Sequence, residues 1–296
     1  MSLDITKDSS LSASQVLGLE RAEGMLRGIM VPPRPEVLVA VLSEQQKPEP
    51  DLERLATIIE RDVALAASTL KVINSPFYGL VRKIGSVHHG VRLLGLQNVV
   101  HLVTGLMLHS AFKDGTNRRF MDAFWTMSNR RAMVAARVSD LHPRVGREEA
   151  HAVGLFCDCG VPMMLRRFPE EYPTTFRIGM LADVETLRDR EQQAHQTDHT
   201  LVGYIVARSW KLPDVFCQTI LRHHDAEDYF STPDPDFQDV LPMLSVIRVA
   251  NYLLRCVSGL PEQPDWQATR ESLLDYLSIT TDDLVQLEAE LNQVLD

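Results

Sequence analysis

The stretch from Arg61 to Val103 reads RDVALAASTLKVINSPFYGLVRKIGSVHHGVRLLGLQNVVHLV, and its apolar residues recur at helical rather than strand spacing. Asp62 can cap a helix that carries Leu65, Thr69, Leu70, Val72 and Ile73. The segment NSPFYGL then stops that helix, because Pro76 cannot continue it and Gly79 supplies a turn. A new helix starts after Ser86, breaks briefly at Gly95 and runs as a strongly apolar helix to Phe112. Just upstream, Leu52, Leu55, Ile58 and Ile59 share one helical face behind an Asp51 cap. Strand-like alternation is absent along the chain, so the sequence predicts an all-α protein with no central sheet.

The rest of the chain extends this pattern. KDGTNRR, residues 113–119, is polar and turn-rich and is the expected junction between two helical lobes. A long helix is expected from about Phe120 to Leu141 and another from about Glu148, with further helices across 169–195, 198–210, 213–224, 240–257 and 280–294. FSTPDPDFQDV, residues 230–240, reads as a loop too short to link independent domains, and Pro32-Pro33 as an entry turn. With 296 residues, 45% hydrophobic and 24% charged, the chain needs no disulfide staples to build its core. A formal charge of −10 disfavours general binding to nucleic acid or to anionic membranes. No secretory leader or membrane-length apolar run is visible, and four scattered cysteines make no disulfide framework, so a cytoplasmic location is expected.

The chemistry to be weighed lies in GLFCDCGVPMML, residues 154–165, together with His199, His223, His224 and Asn251. A hydrolytic metal site needs histidines and carboxylates converging from separate helices, with one position left open for water. Read as helical, CDC sends Cys157 and Cys159 to nearly opposite sides, a poor chelate and an unsuitable disulfide. Core packing is the simpler role for these cysteines. His223 and His224 stand near a helix end, where they can cap carbonyls, and His199 lies in a first helical turn. His88, His89, His101 and His109 read as satisfied surface or core groups. No serine elbow and no phosphate loop is present.

The opening stretch resembles the signature half of HDOD domains, the HD-related output domains of bacterial signalling proteins. Asp62, Ala64, Leu65, Ala66, Leu70, Asn74, Ser75, Tyr78, Gly79, Lys83, Ile84, Ser86, Leu94, Gly95 and Leu96 match its pattern in order. The similarity continues through FWTMS, EEAHAVGLFCDCG, DHTLVGYIVARSWKLPDVFCQTILRHH and IRVANYL. The resemblance implies a two-lobed helical HDOD fold with an HD-like C-terminal bundle. It places an N-terminal segment at 1–24 and the domain at 25–225, with its first lobe to about 115 and its HD-like lobe from about 116. Helices of residues 226–296 are expected to pack on the HD-like lobe.

By the same resemblance, the second half is similar to HD-type metal phosphohydrolases with most ligands replaced. Met127 stands at the first ligand position, Cys157-Asp158 at the His-Asp pair and Asn251 at the last aspartate, so only Asp158 is kept. A methionine, a thiol and an amide suit a hard hydrolytic metal poorly. The expectation is a non-enzymatic, regulatory signal-transduction module with no cofactor, no tightly held catalytic metal and a degenerate metal site. Its partners would be proteins of two-component or cyclic-di-GMP pathways acting in trans. A small ligand could occupy a pocket near Asp158, His199, His223 and His224. Two alternatives stand beside this. One is a metal-dependent phosphohydrolase with atypical ligands; the other is a cyclic-dinucleotide sensor whose basic rim would include Arg130, Arg131 and Arg222. If the site is retired, Asp158→Ala should perturb packing at most.

Overall fold

A computed structural model describes residues 11–26, 35–75, 78, 80–112, 117–181, 184–225, 238–260 and 264–295. Among them are sixteen α-helices and no strand. The expected junction at 113–116, the loop at 230–237, the Pro32-Pro33 turn and Pro76 and Gly79 lie outside the described residues.

The first lobe is built from α2 (Glu36–Gln45), α3 (Leu52–Glu60), α4 (Val63–Ile73), α5 (Val87–Leu94) and α6 (Leu96–Ala111). Its helices begin where the sequence supplies caps. Asp51 accepts from the backbone N–H groups of Glu53 and Arg54, Asp62 from Leu65, and Ser86 Oγ from His89. Leu55, Ala56 and Ile59 form the buried face of α3, and Leu65, Thr69 and Ile73 that of α4. Asn74 ties the end of α4 to the chain ahead of α5: its Nδ2 donates to the Leu70 and Ile84 carbonyls, while its Oδ1 accepts from the Ile84 N–H at 2.7 Å. Between α5 and α6, Gly95 takes φ 78°, a left-handed conformation that L side chains rarely adopt.

The second lobe comprises α7 (Arg118–Ser139), α8 (Arg147–Phe156), α9 (Val161–Arg167), α10 (Tyr172–Leu181), α11 (Val184–His195), α12 (His199–Ser209) and α13 (Asp214–Arg222). The stretch read as 169–195 is therefore two helices, α10 and α11, packed against each other. Helices α14 (Leu241–Val257), α15 (Pro264–Leu277) and α16 (Thr281–Leu295) complete the chain, with α14 and α16 against α7. Arg137 of α7 and Glu290 of α16 form an ion pair across that contact. One continuous apolar core joins both lobes, running from Leu19 through Val103, Phe156 and Trp210 to Leu291. Helix α1 (Ala13–Leu26) crosses the boundary expected at residue 24 and lies against α12, with Leu19 and Ala22 inside that core. No described helix is long and apolar enough to cross a membrane.

Not every histidine read as satisfied is so. His88 reaches Glu53 and Glu60, and His109 packs on Trp125, but the buried Nδ1 of His101 has no partner among the described residues. Burial lowers His101 to about 4, and burial with the neighbouring Arg147 charge does the same to His151. A histidine depressed in the folded state loses stability on acidification, because the unfolded chain takes up protons first. Stability should therefore fall from about pH 6.5 down to about pH 4, by about 1–2 kcal/mol per histidine after allowance for partial exposure. Urea unfolding at pH 7 and pH 4.5 checks this, and His101→Leu should flatten the dependence.

Candidate functional site

The site gathers where the turn between α8 and α9 meets the start of α12 and the end of α13. Helix α8 ends at Phe156, and Cys157 to Gly160 form a turn instead of continuing the helix. CDC is thus not helical, but its two thiols still point into different surroundings. Cys157 Sγ accepts from Arg131, and Cys159 Sγ lies 3.6 Å from the Gly203 carbonyl. Both are free and buried. Burial pushes the Cys157 thiol up to about 12, only partly offset by Arg131.

Two glycines let this turn reach α12. A Cβ on Gly160 would stand 2.0 Å from the His199 carbonyl oxygen and 2.7 Å from the Gly203 nitrogen. One on Gly203 would stand 3.3 Å from the Gly160 nitrogen. The backbones touch here, which carries Asp158 to the first turn of α12. Asp198 caps that helix through the Thr200 and Leu201 N–H groups and accepts from Gln192, so His199 enters the site in a fixed register.

Asp158 divides its two oxygens between two environments. Oδ2 accepts from the Arg131 guanidinium at 2.5 Å. Oδ1 faces imidazoles, 3.1 Å from His223 Nε2 and 3.5 Å from His199 Nε2. His224 Nε2 lies 3.0 Å from His199 Nε2. The outer nitrogens are also engaged. His223 Nδ1 is 2.9 Å from the Ile220 carbonyl, and His199 Nδ1 is 2.7 Å from Glu191 Oε2. Glu191, wholly buried, accepts from the Tyr172 hydroxyl through its other oxygen. Carbonyl capping is therefore half of what His223 does.

Burial opposes charge on Asp158, but Arg131, His223 and His199 outweigh it and hold the carboxyl well below its usual range. For His199, burial works against the proton, yet Glu191, Asp158 and Asp198 lift it to about 9. His224 is lowered well below the usual range, first by burial and then by its histidine neighbours.

Of the expected pocket residues, Asp158, His199, His223 and His224 do come together, and one ligand-type atom from each lies within 4.8 Å of the others. Met127 and Asn251 line the adjoining cavity of about 50 Å³ with Arg131. Arg130 and Arg222 do not line it. Buried Phe124, Ser128, Arg131 and Ala135 share the inward face of α7, and Arg130 is rotated off that face. Arg222 is buried elsewhere, bonding to Gln218 and Gln15. Glu191 carries no signal of this role in the sequence: it sits among Asp189, Arg190, Gln192 and Gln193, a run that reads as a solvated face.

The family model described as "HDOD domain" matches residues 31–226. The chain belongs to the HDOD domain family. Solved HDOD-like folds agree with it over nearly its whole length. An HDOD domain protein of unknown function from Geobacter sulfurreducens has a TM-score of 0.66 at 21% identity, covering 94% of this chain and 98% of that one. A protein from Shewanella amazonensis SB2B, provisionally described as a phosphohydrolase, reaches 0.68 at 17% identity, with coverages of 96% and 94%. A protein provisionally assigned to signal transduction, from Marinobacter aquaeolei VT8, reaches 0.72 at 18% identity, with coverages of 99% and 67%. These likenesses establish the fold. Among curated proteins, an uncharacterized protein of Treponema pallidum (strain Nichols) is 22% identical over 271 residues, 89% of this chain. This HDOD chain spans about half the length of that relative, 49%.

Proposed function

We propose that the chain is a non-enzymatic signalling module that works through protein contacts, with a phosphohydrolase-like pocket that binds without hydrolysing. The observation that carries this reading is Arg131. Its guanidinium lies against Asp158 Oδ2 and Cys157 Sγ, on the cavity side where Met127 and Asn251 also stand. A metal hydrolase needs a cation and an activated water there. Here a fixed protein charge already neutralises that carboxylate oxygen, and the groups around it are a thiol, a thioether and an amide.

The size of the pocket weighs against a nucleotide sensor at this place. Small-molecule sites run to about 300–1,000 Å³, whereas this cavity measures about 50 Å³, room for an ion or a few waters. The phosphohydrolase assignment of the Shewanella neighbour bears on this chain only as analogy of fold. Protein partners from two-component or cyclic-di-GMP pathways are the class that the family resemblance suggests.

Hydrolysis assays on the full chain test the reading, using an activated phosphodiester, cyclic dinucleotides and nucleoside phosphates, with Mn²⁺, Mg²⁺, Fe²⁺ or Zn²⁺ added. The expected result is no metal-dependent turnover above the chelator control. Turnover by the wild type that is lost in His223→Gln would overturn it.

A further inference from the structure

We propose that the cleft between α2 and the turn joining α12 to α13 binds a small organic anion, with its charge on Lys211 and its apolar body against α2. The inference goes beyond the proposed function. The cleft lies at the opposite end of α12 from His199 and shares no lining residue with the Asp158 cavity.

Val39, Leu42, Ser43 and Gln46 recur at i, i+3, i+4 and i+7 along α2, so one helical face lines the cleft. Lys211 and Pro213 close it from the second lobe, and an occupant therefore touches both lobes at once. The cleft measures about 390 Å³, which falls within the range of about 300–1,000 Å³ for small-molecule sites. Val39, Leu42 and Pro213 supply apolar wall. Ser43 and Gln46 bring a hydroxyl and an amide, both of which can donate to an anion.

The charge comes from Lys211, and the backbone fixes where it stands. The Lys211 N–H donates to the Arg208 carbonyl at 3.0 Å and the Leu212 N–H to the Ala207 carbonyl at 3.1 Å, the paired bonds that close a helix on a left-handed residue. Lys211 is that residue, at φ 55°, where glycine is the ordinary choice because a side chain is strained. Among the described residues four other than glycine have positive φ, and Lys211 is the one cation. Leu212 beside it is buried, which anchors the turn in the core. Interaction with the C-terminal dipole of α12 accounts for a cation at this place but not for a cleft beside it. Acids on either side already have partners: Asp214 pairs with Arg208 at 2.8 Å, and Glu44 with Lys47 and Arg54. The exposed Lys211 ammonium has no ion pair or hydrogen bond among the described residues, so its charge is uncompensated. A carboxylate or a phosphate monoester on a short apolar body is the chemistry that fits.

The test is an NMR titration of the full chain with hexanoate, hexyl phosphate and, as the neutral probe, hexanol. At least one anion is expected to bind with a Kd of about 1 mM, the level for a ligand of that size. The tighter of the two tells a carboxylate site from a phosphate site. Hexanol should bind at least about 5-fold more weakly, and amide shifts should centre on α2 and residues 208–214. Lys211→Gly should weaken the anion about 5–10-fold and leave hexanol unchanged. The same variant should raise the melting temperature by about 1–2 °C, since glycine relieves the left-handed backbone. Ser43→Glu, at an exposed position of the cleft, sets a like charge beside the ligand and should also weaken the anion. Arg82→Ala, at an exposed cation ahead of α5, should change nothing. Absence of saturable binding up to about 10 mM, hexanol binding as tightly as the anions, or shifts centred elsewhere would overturn the proposal. So would anion binding insensitive to both Lys211→Gly and Ser43→Glu, which would leave Lys211 as a helix-end residue only.

Discussion

Asp158→Ala is expected to lower the unfolding free energy by about 3–5 kcal/mol, the cost of leaving a buried guanidinium without its counter-charge. Arg131 is 6% exposed and Asp158 8%, so the guanidinium would lose its counter-charge in a site with room for no more than a few waters. The sequence alone suggested that this change would disturb packing at most; the ion pair with Arg131 replaces that expectation with an electrostatic one. The double variant Arg131→Met with Asp158→Ala should recover much of the loss, because both charges then leave together. Urea denaturation of the wild type, both single variants and the double variant measures the cycle. A loss below about 1 kcal/mol in Asp158→Ala, the level of an exposed pair, would contradict the account.

Gly160→Ala should cost about 3 kcal/mol or more, at the upper end of overpacking effects. The added methyl group would meet the His199 carbonyl at 2.0 Å and the Gly203 nitrogen at 2.7 Å, both main-chain atoms that no rotamer change can move. Gly160 has φ −73°, so the conflict is one of space and not of backbone conformation. Relief requires the turn to retreat from α12, which parts Asp158 from His199. Stability and the imidazole cluster should therefore fail together. The measurements are thermal unfolding and the NMR shifts of the His199 and His223 ring protons. An unchanged melting temperature would show that the two backbones are not in contact.

Much of the fold was legible because helix starts are local. Asp51, Asp62 and Ser86 each combine a capping side chain with an apolar stripe that begins just after it, and all three caps form. Helix α15 carries no clear periodic signal: its core residues Trp266, Leu273, Leu274 and Leu277 leave a long, mostly polar gap after the tryptophan. The site was legible in its histidines and Asp158 but not in what holds them. Glu191 is wholly buried yet surrounded in sequence by polar neighbours, so its burial arises from tertiary packing against Tyr172 and His199. Arg131 could have been separated from Arg130 by phase alone. It falls on the same helical face as Phe124, Ser128 and Ala135, whereas Arg130 lies about 100° away. The Gly160–Gly203 contact joins residues far apart in sequence, and no periodicity reveals which glycines meet.

The central claim is that Asp158 is shared, with one oxygen given to Arg131 and the other to the imidazoles, so that its carboxylate is not free to bridge a two-metal hydrolytic centre. Anomalous scattering from crystals grown with Mn²⁺ or Zn²⁺ tests it most directly. The account predicts no pair of peaks bridged by Asp158, with Arg131 still on Oδ2. Two peaks bridged by Asp158, with Arg131 displaced and the second ion lying toward Cys157, Met127 and Asn251, would contradict it.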